Sequence, residues 1–283
     1  MLNGCAYILT VDVGNTFIRF GLFAEDSAAA QECPLATCEI TTPTRITADE
    51  ARMRLAQVMG ALAADAGMPG TLVPAAAVLS CVVPALERPW KAALSRTCTG
   101  RVLTVGPGLK TGMPVHYDDP AEIGPDRIAD AVAARAVYGS PCIVIDLGTT
   151  TNIEVIDARG TFVGGVIAPG LALGARSLSA AAARLPQVEP SAPTHVIGRN
   201  TREAMRSGVV LGEVARIDGM LDMVLAEMRA TKAAGEGSVP IVITGDDAEA
   251  LAALVGHSLT VDDALTLRGL AELYHINQKP RRA

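Results

Sequence analysis

Asp12, Gly14, Asn15 and Thr16 follow directly on an apolar run in TVDVGNTFIRFGLF, residues 10–23. A turn between two strands exposes backbone N–H groups, and glycine lets a phosphate come close to them. Asn15 and Thr16 add neutral donors. A carboxylate beside a phosphate is repulsive unless a cation lies between them, so Asp12 suits a holder of Mg²⁺ or of its waters. IVIDLGTTTNIEVID, residues 143–157, repeats the layout with Asp146, Gly148 and Thr149. There Thr149 takes the part of the phosphate-facing hydroxyl. One such stretch equally describes an ordinary hairpin with a polar turn. Two copies, about half of the 283-residue chain apart, suggest a duplicated architecture with the two turns facing each other.

A third element is YDDPAEIGPDRIAD, residues 117–130, which sets Asp126 and Arg127 at a helix start after Gly-Pro. These two are either a helix cap with a solvated arginine or an acid–base pair delivered to a pocket. In the second case Asp126 takes a hydroxyl proton and Arg127 binds an anionic group. Other phosphate and nucleophile motifs are missing. GPGLKTG, residues 106–112, lacks the Gly-Lys-Ser/Thr that a P-loop needs. No G-x-G-x-x-G follows the first strand, and no G-x-S-x-G elbow occurs.

These residues must be positioned by a sizeable core. The chain is 49% hydrophobic and 19% charged, as globular enzymes are, and long enough for two domains. A net charge of −6 and 3% aromatics argue against a nucleic-acid partner. No apolar run is long enough to span a bilayer and no signal peptide is legible, so a cytoplasmic protein with no membrane partner is expected. The six cysteines (Cys5, Cys33, Cys38, Cys81, Cys98, Cys142) show no metal spacing and are expected to be reduced thiols.

Strands are expected at 6–11 and 17–23, with edge strands in AQECPLATCEITT, and helices at 48–67 and through LERPWKAALSRT. AAAVLSCVVPAL is a buried strand, RVLTVGPGL a short one, and DRIADAVAARAVYG a helix with an acidic first turn. The second half gives strands from 143, a helix from LALGARSLSAAAARLP, one or two long helices over 201–231, a buried strand in VPIVITGDD, helices at 246–255 and 263–274, and a frayed basic tail, NQKPRRA. Strands precede helices in both halves, so the class is α/β. The expected domains are 1–140 and 141–283.

At these motifs the sequence resembles type III pantothenate kinase, of the acetate kinase, sugar kinase, Hsc70 and actin superfamily. The series runs DVGNT (12–16), SCVVP (80–84), GPDR (124–127), DLGT (146–149), GGVIAPG (164–170), GRNTREAMRSG (198–208) and LTLRGL (265–270), in order over nearly the whole chain. The resemblance implies two actin-like, ribonuclease H-like domains with a cleft between them. It implies ATP-dependent phosphorylation of the primary hydroxyl of pantothenate, the first step of coenzyme A synthesis, by a homodimer. Asp126 would be the general base. Asp12, Gly14, Asn15, Thr16 and Arg19 would line the ATP phosphates, with Asp12 organising Mg²⁺. Asp146 would bind a monovalent cation, potassium or ammonium, and Thr149 would contact ATP. Tyr117, Gly124 and Arg127 would bind pantothenate, and Thr201 would reach it from the partner subunit.

Four positions depart from the family pattern, all on the nucleotide side. Asn152 and Glu154 stand where a threonine and an aspartate are usual, and Asp246 stands where a glycine is. Arg19 replaces a lysine, keeping charge but changing geometry. Two other readings stay open: a paralogue with altered or lost activity acting as a ligand-binding or regulatory protein, and a superfamily kinase for another hydroxy acid or sugar.

Overall fold

The computed structural model describes residues 6–26, 32–68 and 72–278. Cys5 and most of the NQKPRRA tail lie outside them. The other five cysteines are free thiols. Among the described residues no helix is long and apolar enough to cross a membrane.

Two compact units divide the chain. One comprises the chain up to Val137 together with Ala264 onward; the other is Tyr138–Asp263. The first holds a five-stranded sheet in the order β3-β2-β1-β4-β5. Its strands are β1 (Tyr7–Val13), β2 (Phe17–Ala24), β3 (Ala36–Thr41), β4 (Ala76–Cys81) and β5 (Val102–Thr104). β1, β2 and β3 pair antiparallel, whereas β4 and β5 are parallel to β1.

The pleat sorts β1 onto two faces. Leu9, Val11 and Val13 enter a core shared with helices α1 (Ala48–Asp65) and α2 (Pro84–Thr97). α1 starts at a capping box, with Glu50 N donating to Thr47 Oγ1 and Thr47 N donating to Glu50 Oε2. Trp90 of α2 meets Phe20 of β2 edge to face, centroids 5.6 Å apart. Ile8, Thr10 and Asp12 alternate to the opposite face.

Helix α8 (Leu265–Ile276) packs across β1, β2 and β4. A Cβ on Gly21 would lie 2.7 Å from Thr10 Oγ1 and 3.2 Å from Leu267 Cδ1, which puts α8 on the Asp12 face. The last helix, expected in the second half, therefore completes the first unit. The described units also part at 137/138, not at 140/141. α8 in turn fixes α3 (Pro125–Tyr138), through Thr266 Oγ1 donating to Asp130 Oδ1 at 2.6 Å and through backbone contact at Gly269.

The second unit repeats the order as β8-β7-β6-β9-β10. The strands are β6 (Cys142–Leu147), β7 (Thr150–Ile156), β8 (Phe162–Pro169), β9 (Ile241–Gly245) and β10 (Thr260–Val261). Again the first three pair antiparallel and the last two run parallel to the central strand. β6 takes the place of β1, so the two units share one topology, that of the actin-like, ribonuclease H-like fold. Ile143, Ile145 and Leu147 form a core with helix α6 (Gly212–Ala230). α4 (Leu171–Ala181), α5 (Thr201–Arg206), a π-helical turn at Ser207–Leu211 and α7 (Ala248–Ala252) complete the unit.

Gly269 shows how tight the α3–α8 contact is: a Cβ there would lie 1.9 Å from the Ala129 carbonyl oxygen. Backbone cannot yield as a side chain can. Gly269→Ala is expected to destabilise the chain by about 3 kcal/mol or more, the upper range for overpacking. Gly60→Ala, in α1 with nothing near its Cβ, is expected to gain up to about 1 kcal/mol. Urea unfolding of the two variants checks this, and similar midpoints would contradict it.

Candidate active site residues

Both aspartates of the repeated motif lie on strands, not in the turns. Asp12 is the penultimate residue of β1 and Asp146 that of β6. The turn residues that follow were read correctly, but the carboxylates belong to the pleated ladder. In the first sheet Asp12 has Arg19 of β2 on one side and Ser80 of β4 on the other. In the second, Asp146 has Asn152 of β7 and Thr244 of β9. Each carboxylate is thus flanked by a polar residue on its hairpin partner and a hydroxyl on its parallel neighbour. Ser80 and Thr244 escaped the sequence reading, because parallel pairing between distant strands leaves no local trace.

The two hairpin turns are closed by backbone. Gly14 N donates to Phe17 O and Gly148 N to Thr150 O, both at 3.0 Å. A Cβ on Gly14 would meet Phe17 O at 3.0 Å, so glycine keeps that turn tight. Thr42, just beyond β3, ties the first turn from outside: its Oγ1 donates to Gly14 O and its N to Thr16 O. Asn15 and Thr16 are exposed at the tip. Arg19 Nε donates to Glu39 Oε2 at 3.1 Å.

Asp12 is 7% exposed, and its Oδ1 is buried with no hydrogen-bond partner. Ser80 lies close enough to favour the charged form, yet its Oγ also lacks a partner of acceptable geometry. Burial, reinforced by repulsion from Asp126, pushes the Asp12 carboxyl up to about 6; Ser80 and Arg19 offset part of the rise. An orphaned, buried carboxylate oxygen beside a glycine turn fits a divalent cation or its hydration shell. Among the described residues no three His, Cys, Asp or Glu side chains gather as a metal site. Any cation here would therefore take its remaining ligands from water and substrate.

Asp126 stands in the first turn of α3. Its Oδ1 accepts from Arg127 N at 2.8 Å, so it bonds the adjacent amide instead of capping the helix from outside. The carboxylate folds back over Gly124, where a Cβ would lie 2.4 Å from Asp126 Oδ1. This close approach explains the glycine of GPDR. Burial raises the Asp126 carboxyl, against the lowering by the Arg127 amide and guanidinium. Arg127 is 5% exposed, not the solvated arginine of the capping alternative. Tyr117 is half-buried in the loop before α3. A cavity of about 520 Å³ opens against this helix start, walled by Cys81, Leu109, Val115, Ile123, Pro125 and Ile128. Asp12, Asp126, Arg127, Gly124 and Tyr117 thus all belong to the first unit.

The second unit carries Asp146, Thr149 and Thr201. Gly170 N donates to Thr149 O at 3.1 Å, and a Cβ on Gly170 would lie 2.3 Å from Gly148 O. That accounts for the last glycine of GGVIAPG. Gly245, at φ +101°, would bring a Cβ to 2.2 Å from Leu147 O. The departures divide: Asn152 and Glu154 are buried on the Asp146 face, whereas Asp246 is exposed. Thr201 is exposed at the start of α5, which Asn200 caps by accepting from Glu203 N.

Asp12 and Asp126 both hold a proton more firmly in the folded chain than in the unfolded one. The contribution of Asp12 to folded stability therefore falls as pH rises from about 4 towards about 6, and that of Asp126 changes in the same direction. In metal-free buffer Asp12→Asn is expected to stabilise the chain near neutral pH by up to about 3 kcal/mol, the equivalent of that rise, and hardly at all at about pH 4. Urea melts at both pH values check this. Equal stability near neutrality would mean that the Asp12 charge is already compensated.

The type III pantothenate kinase family model matches residues 8–223. A type III pantothenate kinase of Koribacter versatilis is 37% identical over 279 residues, covering 97% of each chain. The type III pantothenate kinase 2 of Symbiobacterium thermophilum is 39% identical over 274 residues, covering 96% of this chain and 97% of its own. Among solved structures, a Baf family protein from Campylobacter jejuni superposes with a TM-score of 0.56 over 95% of this chain and 98% of its own, at 18% identity, a likeness of fold alone. By the family match and by identity over nearly the full length of its relatives, this chain belongs to the type III pantothenate kinases.

Proposed function

We propose that the protein transfers the γ-phosphoryl group of ATP to the primary hydroxyl of pantothenate, opening coenzyme A synthesis in the cytoplasm. Membership of the family supports the reaction; the observation that carries the site is the Asp126–Arg127 pair, held over Gly124 beside a mostly apolar cavity. Asp126 accepts the hydroxyl proton as the new P–O bond forms. Its raised pKa makes it a stronger base than an exposed aspartate. Arg127, with Tyr117 and Gly124, binds pantothenate, the guanidinium facing the substrate carboxylate. The cavity beside α3 suits the apolar dimethyl portion.

Asp12 holds Mg²⁺, which when bound neutralises the triphosphate. Gly14, Asn15, Thr16 and Arg19 cradle the phosphates. Asp146 holds a monovalent cation, potassium or ammonium, and Thr149 contacts ATP. Thr201 serves the acceptor site of a partner subunit in a homodimer. Its exposure, and that of Val196, Ile197 and Met223 in the same unit, agrees with a covered surface in an assembly.

Asp126→Asn keeps the bond from the Arg127 amide while removing the base. Turnover, read as ADP released with pantothenate, is expected to fall by about 10²–10⁴-fold, with the KM for ATP nearly unchanged and the melting temperature near neutral pH not lowered. Near-normal turnover would remove Asp126 as the base. Activity with other alcohols but not pantothenate would overturn the acceptor. The same assay is expected to fail in sodium-only buffer and to recover with potassium or ammonium. Sedimentation at micromolar concentration is expected to show a dimer, and a monomer would dismiss Thr201 as a contact in trans.

A further inference from the structure

Glu213 of α6 is a buried carboxylate that none of the sequence motifs explains, its side chain only 4% exposed. Oε1 accepts from Thr151 Oγ1 of β7 at 2.6 Å. Oε2 pairs with Arg216, one turn along the same helix. Arg216 Nη2 also donates to the carbonyl of Pro169, the last residue of β8, at 2.5 Å. The next residue, Gly170, bonds Thr149 O and rests against Gly148. One charged pair therefore grips β7 directly, β8 directly, and the Gly148–Thr149 turn through Gly170.

Glu213 is buried but Arg216 is about one-third exposed (34%), so the desolvation of the carboxylate and solvent screening of the guanidinium leave the pair a poor source of net stability. The neighbours Val214, Ile217 and Leu221 show that an apolar side chain at position 213 would find a ready core. What the charges supply is direction: a bond to a strand hydroxyl on one side and to a strand-end carbonyl on the other, holding two backbone segments at a set distance. The Glu213 charge also reaches the start of α7, where it helps raise the Asp247 carboxyl. Asp246, the residue before it, donates its N–H to Leu147 O on the other flank of the same turn.

We propose that Glu213 and Arg216 are positioning residues for nucleotide binding. They set the place of the Gly148–Thr149 turn against the phosphates without touching them. The inference rests on Thr149 as a nucleotide contact. The test is calorimetric binding of magnesium–ADP, without acceptor, to the full chain and its variants, together with KM values and melting temperatures.

Arg216→Met is expected to weaken ADP about tenfold and to raise the KM for ATP similarly, leaving the KM for pantothenate within about twofold. Arg216→Lys, still able to donate to Pro169, is expected to recover most of the affinity. Glu213→Gln keeps an acceptor for Thr151 but loses the ion pair, and is expected to fall between the two. It carries the test alone if Arg216→Met does not fold. Unchanged ADP affinity in the folded variants overturns the proposal. So does a parallel rise of both KM values with lower melting temperature that Arg216→Lys does not correct. If the wild type binds ADP but phosphorylates no pantothenate, the acceptor reading fails and this one stands.

Discussion

Asp12 carries a charge that its surroundings disfavour. It is the lone acidic side chain on the central strand β1, where Ile8, Leu9, Val11 and Val13 are buried and apolar. Desolvation there is only partly met by Ser80 and Arg19. A protein that needed only stability would place an uncharged residue at this position. On the proposed function a cation and a triphosphate would complete the site and offset this cost, because the same low-dielectric setting that penalises a bare carboxylate strengthens its hold on a metal. The glycine turn, the outside tie from Thr42 and the α8 brace on α3 all keep this part of the first unit fixed.

The second sheet repeats the arrangement with different chemistry. Asp146 has an amide and a hydroxyl beside it where Asp12 has a guanidinium and a hydroxyl. Under the proposed function the neutral flank would go with the singly charged ion and the arginine flank with the phosphates. Equivalent backbone positions thus carry different electrostatic surroundings through one neighbour on the hairpin partner.

Much of this was legible in the residues. The apolar runs ending in Asp-x-Gly marked both hairpins, and Gly-Pro-Asp-Arg marked the start of α3. The placement of the acids within strands was not, since a turn's polar residues and a strand's last polar residue look alike without register. Nor were Ser80 and Thr244, whose partners lie more than sixty residues away in sequence across parallel ladders. β10 has only two residues, too short for any pattern. Glu213 was hidden for another reason: on α6 it reads as one more charge on an amphipathic helix, and only tertiary packing turns it inward.

The return of α8 to the first sheet bears on how the chain matures during synthesis. The second unit is continuous, from Tyr138 to Asp263, and all its strands are synthesised before Ala264 is added. The first unit must wait, its Asp12 face bare, while the intervening segment is translated, on the order of ten seconds. Until Leu267, Leu270 and Leu273 arrive, that face exposes apolar surface at the sheet that bears Asp12. The first unit is accordingly the part whose apolar face stays uncovered longest, and a chain cut short before Ala264 would carry all five strands of the second unit while α3 of the first lacked the brace from α8.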